Sequence, residues 1–199
     1  MATRRLRIYV PLNGGLNKKI TAARQELTGD WKGIPPHITL LEIDVNEGII
    51  ESCIDVIQKY TSEFISSEVF DLSDAPDDVR QFKIFTALRY NAPHIREIYE
   101  KTISLILEKC QLTPDEELIV TETASNIIFS TARHGMIYAL PLYAKDLSLL
   151  KCHVSICITQ KIKDVAASSE FIRERLGGIM KQLTSKNFTE VKVEIIESR

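Results

Sequence analysis

The chain has 199 residues, 44% hydrophobic and 26% charged, with 25 Lys and Arg against 27 Asp and Glu and a net charge of −2. This is the composition of an ordinary globular domain. It lacks the basic excess that tracks long nucleic acid, and no apolar run reaches membrane-spanning length. Met1-Ala2-Thr3-Arg4-Arg5 leads into a strand pattern without the apolar stretch of a signal peptide. Cys53, Cys110, Cys152 and Cys157 show no C-x-x-C spacing and suit reduced thiols. The expectation is a cytoplasmic protein without metal or cofactor, a single domain over 1–199.

Leu6 to Val10 alternates and predicts a strand, closed by Pro11 and the Asn13-Gly14-Gly15 turn. Leu16, Ile20, Ala23 and Leu27 then recur at helical spacing. An apolar strand pattern covers about 36–45, and Ile50, Cys53, Ile54 and Ile57 mark a second amphipathic helix. The acidic, Pro-containing stretch 71–78 reads as a connection. A second series begins near Gln81, where Phe82, Ile84, Thr86, Leu88 and Tyr90 alternate with Lys83, Phe85, Ala87 and Arg89. Asn91 and Pro93 look like a helix start, and Ile95, Ile98, Tyr99, Thr102 and Ile106 form one helical face. Extra material at 112–149 suggests short strands around 118–121, 126–131 and 136–140. A strand over about 150–159 follows, then a helix face at Ile172, Leu176, Ile179 and Leu183, and a closing strand at 191–195. The two halves, about 1–75 and 80–199, thus share one order of elements: strand, helix, strand, helix, strand.

The third element of each half carries the same short motif. Pro36-His37-Ile38-Thr39-Leu40 and Cys152-His153-Val154-Ser155-Ile156 each present a histidine, an apolar residue, a hydroxyl residue and another apolar residue. On a strand, alternation puts His37 with Thr39 on one face and Ile38 with Leu40 on the other. His153 and Ser155 share a face in the same way. Ordinary composition gives roughly one histidine in fifty this context by chance; here two of four have it, and His94 and His134 do not. Two imidazoles titrating near neutrality can serve as general base and general acid. Hydroxyls two residues along the same faces can donate to the oxygens of a phosphorane. This is an inventory for metal-free attack on a phosphodiester, with His37 and His153 catalytic and Thr39 and Ser155 binding phosphate. In a 2′,5′-linked substrate the free 3′-hydroxyl can itself be the nucleophile.

The paired H-x-[ST]-apolar motifs, each after a strand–helix unit, resemble the 2H phosphoesterase superfamily, also called LigT-like, over roughly residues 5–197. The resemblance implies an α/β (α+β) bilobal, duplicated fold: two curved antiparallel sheets facing a central cleft, with helices outside. It implies metal-independent cleavage of phosphodiesters involving a ribose 2′-oxygen. The motifs lie further apart than in compact members because of the segment at 112–149, which leaves one cleft wall and the substrate open.

The near-neutral charge points to a short nucleotide as partner rather than a long duplex; no membrane partner is expected, and the chain is expected to be a monomer. The expected substrate is a 2′,5′-oligoadenylate or a cyclic dinucleotide such as cyclic GMP-AMP, with removal of an immune second messenger as the role. Two alternatives stand beside it: opening of 2′,3′-cyclic phosphates at RNA or tRNA ends, and a non-catalytic nucleotide- or RNA-binding module. Tyr9, set against Ile8 and Val10, and Phe85, in the corresponding place of the second half, are candidates to stack on a base. Tyr138 is a third such candidate, and with Tyr143 and Trp31 it could line the pocket. Asn13-Gly14-Gly15 with Lys18-Lys19 lacks the G-K-[ST] ending of a P-loop and reads as a turn before a helix.

Overall fold

The computed structural model describes residues 2–12, 14–28, 35–67, 78–81, 85–90, 95–142, 152–158, 174 and 191–196; for the strands at 78–81, 85–90 and 152–158 it describes backbone course and pairing. In chain order the elements are β1 (Thr3–Pro11), α1 (Gly14–Thr28), β2 (His37–Asn46), α2 (Glu47–Ser67), β3 (Asp78–Gln81) and β4 (Phe85–Tyr90). They continue with α3 (Ile95–Lys109), β5 (Ile119–Glu122), β6 (Asn126–Thr131), β7 (Gly135–Pro141), β8 (Cys152–Ile158) and β9 (Lys192–Ile196). The fold is α+β, and every described strand pairing is antiparallel. Asp78–Gln81, at the edge of what composition suggested as a connection, is a short edge strand on β4. Trp31, Tyr143 and, apart from the helical Glu174, the helix expected over 172–183 lie outside the described residues.

The two motif strands are neighbours. β2 pairs with β1 along one edge. Along its other edge it pairs with β8 near its start and with β7 near its end. β4 and β3 continue the sheet beyond β8, β9 continues it beyond β1, and β6 and β5 continue it beyond β7. The pairing therefore joins into one sheet what the resemblance implied as two facing sheets. It also crosses the halves, because β9 pairs with β1 and β2 pairs with β7 and β8. The segment over 112–149 supplies the β5–β7 meander, attached where Asp44 and Val45 meet Ala139 and Tyr138. That attachment is at the opposite end of β2 from His37.

Alternation explains which face is buried. Leu6, Ile8 and Val10 of β1 are fully buried, as are Ile38, Ile43 and Val45 of β2 within 1%. They pack with Ile50, Cys53 and Ile57 of α2 and with Ile98, Leu105 and Ile106 of α3 in one core. Asn46 ends β2 and caps α2, its side-chain oxygen accepting from the Gly48 N–H at 2.8 Å. Leu40 and Leu41 are adjacent and both buried, which strict alternation forbids. The register resolves this: Ile8 faces Leu41 while Tyr9 faces Thr39, so Leu40 is the extra residue of a β-bulge. The bulge lets His37 and Thr39 before it, and Glu42 and Asp44 after it, occupy the same open face.

Candidate functional site

In the β2–β8 pair, Ile38 is opposite Val154 and Thr39 is opposite His153. One further step of the same register brings His37 opposite Ser155. Directly opposed residues of an antiparallel pair share a face. All four motif positions therefore lie together on the face away from α2 and α3. His37 and His153 are diagonal neighbours there, a relation that spans about 7–8 Å between backbones.

The flanking strands repeat this geometry. In β1–β2 the residue facing the hydroxyl position is Tyr9, opposite Thr39, and the bulge follows at Leu40. In β4–β8 it is Ala87, opposite Ser155, and the bulge falls at Ile156, which the register skips between Thr86↔Cys157 and Ala87↔Ser155. Pro11 stands opposite His37 and Arg89 opposite His153. The counterpart of Tyr9 is thus Ala87. Phe85, opposite Ile158, matches Arg7 instead, one step further from the motif.

The His37 side is resolved to its atoms. The Nδ1 of His37 is 2.8 Å from the Pro35 carbonyl oxygen. A carbonyl only accepts, so Nδ1 carries the proton, and in the neutral ring Nε2 keeps its lone pair. Burial lowers the imidazole below its ordinary value; the Pro35 hydrogen bond opposes this, Arg7 and Arg24 reinforce it, and the Glu194 carboxylate opposes it. The Tyr9 ring stands edge-on to the imidazole, with centroids 5.2 Å apart at 69°. Tyr9 is therefore on the His37 face, as its alternation against Ile8 and Val10 predicted. Its hydroxyl donates to Glu194 Oε2 at 3.1 Å. Arg7 donates to Glu42 at 2.7 Å and to Glu194 Oε1 at 3.4 Å. Arg5 grips Asp44 with two bonds, at 2.8 and 3.2 Å.

Tyr138 is corrected. It faces Val45 across β7–β2 and so belongs to the opposite, core face, with 2% exposure. Its ring stacks on Phe129 at 4.4 Å, and burial pushes its hydroxyl up to about 12. It cannot stack on a ligand at His37. Four residues of the site escaped the sequence reading: Arg7, Glu42, Glu194 and the buried Arg24. The usable signal was polar residues at every second position of half-buried strands, Arg5-x-Arg7 and Glu42-x-Asp44, on the motif face once the Leu40-Leu41 doublet is taken as a bulge.

Among the described residues, no group of three or more His, Cys, Asp or Glu could hold a metal ion, and no helix is long and apolar enough to cross a membrane. No known protein family, curated protein or solved structure matches the chain.

Proposed function

We propose that the chain is a metal-independent phosphodiesterase of the 2H type, acting on a 2′-linked phosphodiester in a short nucleotide. One observation carries this reading: β2 and β8 pair so that the positions of His37, Thr39, His153 and Ser155 fall on one face, the two histidine positions diagonal to each other and a hydroxyl position opposite each. The repetition of register and bulge in β1–β2 and β4–β8 supports an internally duplicated, bilobal arrangement with the substrate over this face. His37, neutral at pH 7 with Nε2 available, is cast as the general base. It takes the proton of water, or of the 3′-hydroxyl in a 2′,5′ linkage, as that oxygen attacks phosphorus. The bond from phosphorus to the departing ribose oxygen breaks, and His153 supplies that oxygen with a proton. Thr39 and Ser155 donate to the phosphorane oxygens.

The charge pattern supports a short substrate. Along the β1–β2 face that runs from His37 to the far end of β2, the cations Arg7 and Arg5 are matched by Glu42, Glu194 and Asp44. Among the described residues, the strand arginines of this flank are each matched by a carboxylate, which suits a polyanion poorly because each phosphate it places there normally calls for a cation. The favoured substrates are a 2′,5′-oligoadenylate or a cyclic dinucleotide such as 2′,3′-cyclic GMP-AMP, and removal of an immune second messenger is the corresponding role.

The test is a panel of 2′,5′-oligoadenylate, cyclic GMP-AMP isomers, 2′,3′-cyclic nucleotides and cyclic-phosphate-ended RNA, with products read by mass spectrometry with and without EDTA. His37→Ala and His153→Ala should each lose several orders of magnitude in rate while staying folded. Thr39→Ala and Ser155→Ala should lose on the order of 10²–10³, as for a missing oxyanion donor. Full activity in His37→Ala sinks the assignment. Preference for cyclic-phosphate-ended RNA replaces the substrate class, and a ligand bound but never turned over replaces the enzyme with a binding module.

A further inference from the structure

The Glu194 carboxylate is shared between two residues of β1, one oxygen taking the Tyr9 hydroxyl and the other the Arg7 guanidinium. Tyr9 in turn carries its ring against the His37 imidazole. Glu194 is itself held from behind. The side-chain amide of Gln58, on α2, donates to the Val191 carbonyl and accepts from the Val193 N–H, the latter at 2.7 Å. One amide thus binds β9 as a neighbouring strand would, on either side of residue 192. β1 fixes its other edge, with Arg7 opposite Glu194 and Tyr9 opposite Lys192. A chain of fixed contacts therefore runs from α2 through β9 and β1 to the imidazole.

We propose that Glu194 is a positioning residue for His37: it holds the Tyr9 ring against the imidazole and supplies the negative charge that balances the cations around it. This rests on the assignment of His37 as the reactive imidazole. Three charged groups act on His37, Arg7 on β1, Arg24 on α1 and Glu194 on β9; Tyr9 on β1 touches its ring, Glu42 on β2 is bonded to Arg7, Lys192 on β9 stands opposite Tyr9, and His153 holds its register position on β8. Arg7 and Arg24 disfavour an imidazolium, and Glu194 favours it. Without the Glu194 carboxylate, the two cations would press His37 further toward its neutral form and weaken it as a proton acceptor. The Tyr9 ring would also lose the hydroxyl contact that sets its angle.

The experiment follows the His37 ring by NMR titration of the full chain labelled at histidine, its signals assigned by their loss in His37→Ala. Glu194→Gln keeps an acceptor for Tyr9 and removes the charge. Its His37 midpoint should fall by on the order of half a pH unit, a typical effect of one nearby charge. Glu194→Asp should return it to within a fraction of that shift. Glu51→Gln, which alters an exposed pair with Arg4 on α2, should leave it unchanged. Should Glu194→Gln not fold, Arg7→Gln reads the same balance with the opposite sign, and the midpoint should rise. A midpoint that stays put or rises in Glu194→Gln overturns the proposal, as does one that fails to rise in Arg7→Gln. The titration reports on His37 whether or not any phosphodiester is cleaved. A silent substrate panel with a shifted midpoint therefore defeats the phosphodiesterase reading alone.

Discussion

The Leu40-Leu41 bulge allows the motif face and the core face of β2 to coexist, and deleting Leu41 tests that directly. Deletion restores strict pairing: Leu40 falls opposite Ile8 while Glu42 stays opposite Arg7 and Asp44 opposite Arg5, so no register changes on either side. What is lost is one of two leucines exposed by only 4% and 5%. Removing a buried leucine costs about 1.5–3 kcal/mol of transfer free energy, and incomplete collapse raises Leu→Ala losses to about 2–5 kcal/mol. A loss of about 2–4 kcal/mol is a sizeable share of the 5–15 kcal/mol by which domains are typically stable. With a urea m-value of about 2–3 kcal/mol/M, the midpoint should fall by about 1–2 M with m unchanged. Leu41→Ala, which keeps the bulge, should fall by a similar amount. The two variants should differ in activity. Only the deletion removes the extra local twist that a bulge adds beside the Tyr9–Thr39 pair, so only it should lose turnover beyond its loss of folded protein. A deletion variant as stable as the parent would show that Leu40 and Leu41 do not both fill the core. Complete unfolding beside a mild Leu41→Ala would show that the register had slipped and turned Glu42 and Asp44 inward.

Three further outcomes are expected. His37 binds its proton less readily in the native state than in the unfolded chain, so its contribution to stability is present above about pH 6.5 and is lost as the pH falls through the lowered native value; denaturant unfolding at pH 7.5 and 5.5 should show a smaller acid loss in His37→Gln, and an identical loss would contradict the burial argument. Burial pushes the Cys53 and Cys110 thiols up to about 11, so iodoacetamide at pH 7.5 should label them only after denaturation, read site by site by mass spectrometry; rapid native labelling would mean these helices open far more readily than their packing implies. Tyr138→Ala should cost about 3–5 kcal/mol, as large aromatic truncations in cores do, and leave KM unchanged; a raised KM with unchanged stability would return Tyr138 to the ligand.

Much of this architecture was legible in the chain because periodicity is a local signal. The faces Ile50–Cys53–Ile57 and Ile95–Ile98–Tyr99–Thr102–Ile106 are buried as read, and the strands expected within 112–149 occur as β5, β6 and β7. Pairing was not legible. Nothing local in Asp78-Val79-Arg80-Gln81 marks it as a strand; four residues become one only because β4 offers an edge. Tyr138 misled for the same reason. An aromatic in a strand pattern can face either side, and the choice is made by Val45, ninety-three positions earlier in the chain. Phe85 was taken as the partner of Tyr9 by counting along the chain, and the bulge at Ile156 shows that Ala87 holds that position. Glu194 gave no sign, since its role exists only once β9 lies beside β1.

The two motif strands meet symmetrically, but phosphodiester cleavage is chemically asymmetric, because one oxygen must be deprotonated and another protonated. Identical motifs cannot assign those roles, so the assignment must come from what flanks them. On one flank Tyr9 and Pro11 stand opposite Thr39 and His37, backed by Arg7, which is paired with both Glu42 and Glu194. On the other, Ala87 and Arg89 stand opposite Ser155 and His153. Burial and two cations press His37 toward its neutral form, Glu194 limits how far, and the Pro35 carbonyl fixes which nitrogen is left to act. On the proposed function, the same difference in flanks would give the substrate a direction. A tyrosine fills the position beside Thr39 where an alanine lies beside Ser155, so the two halves of a nucleotide laid across this face would meet unlike surfaces, and the direction of binding would decide which ribose oxygen lies next to the proposed base.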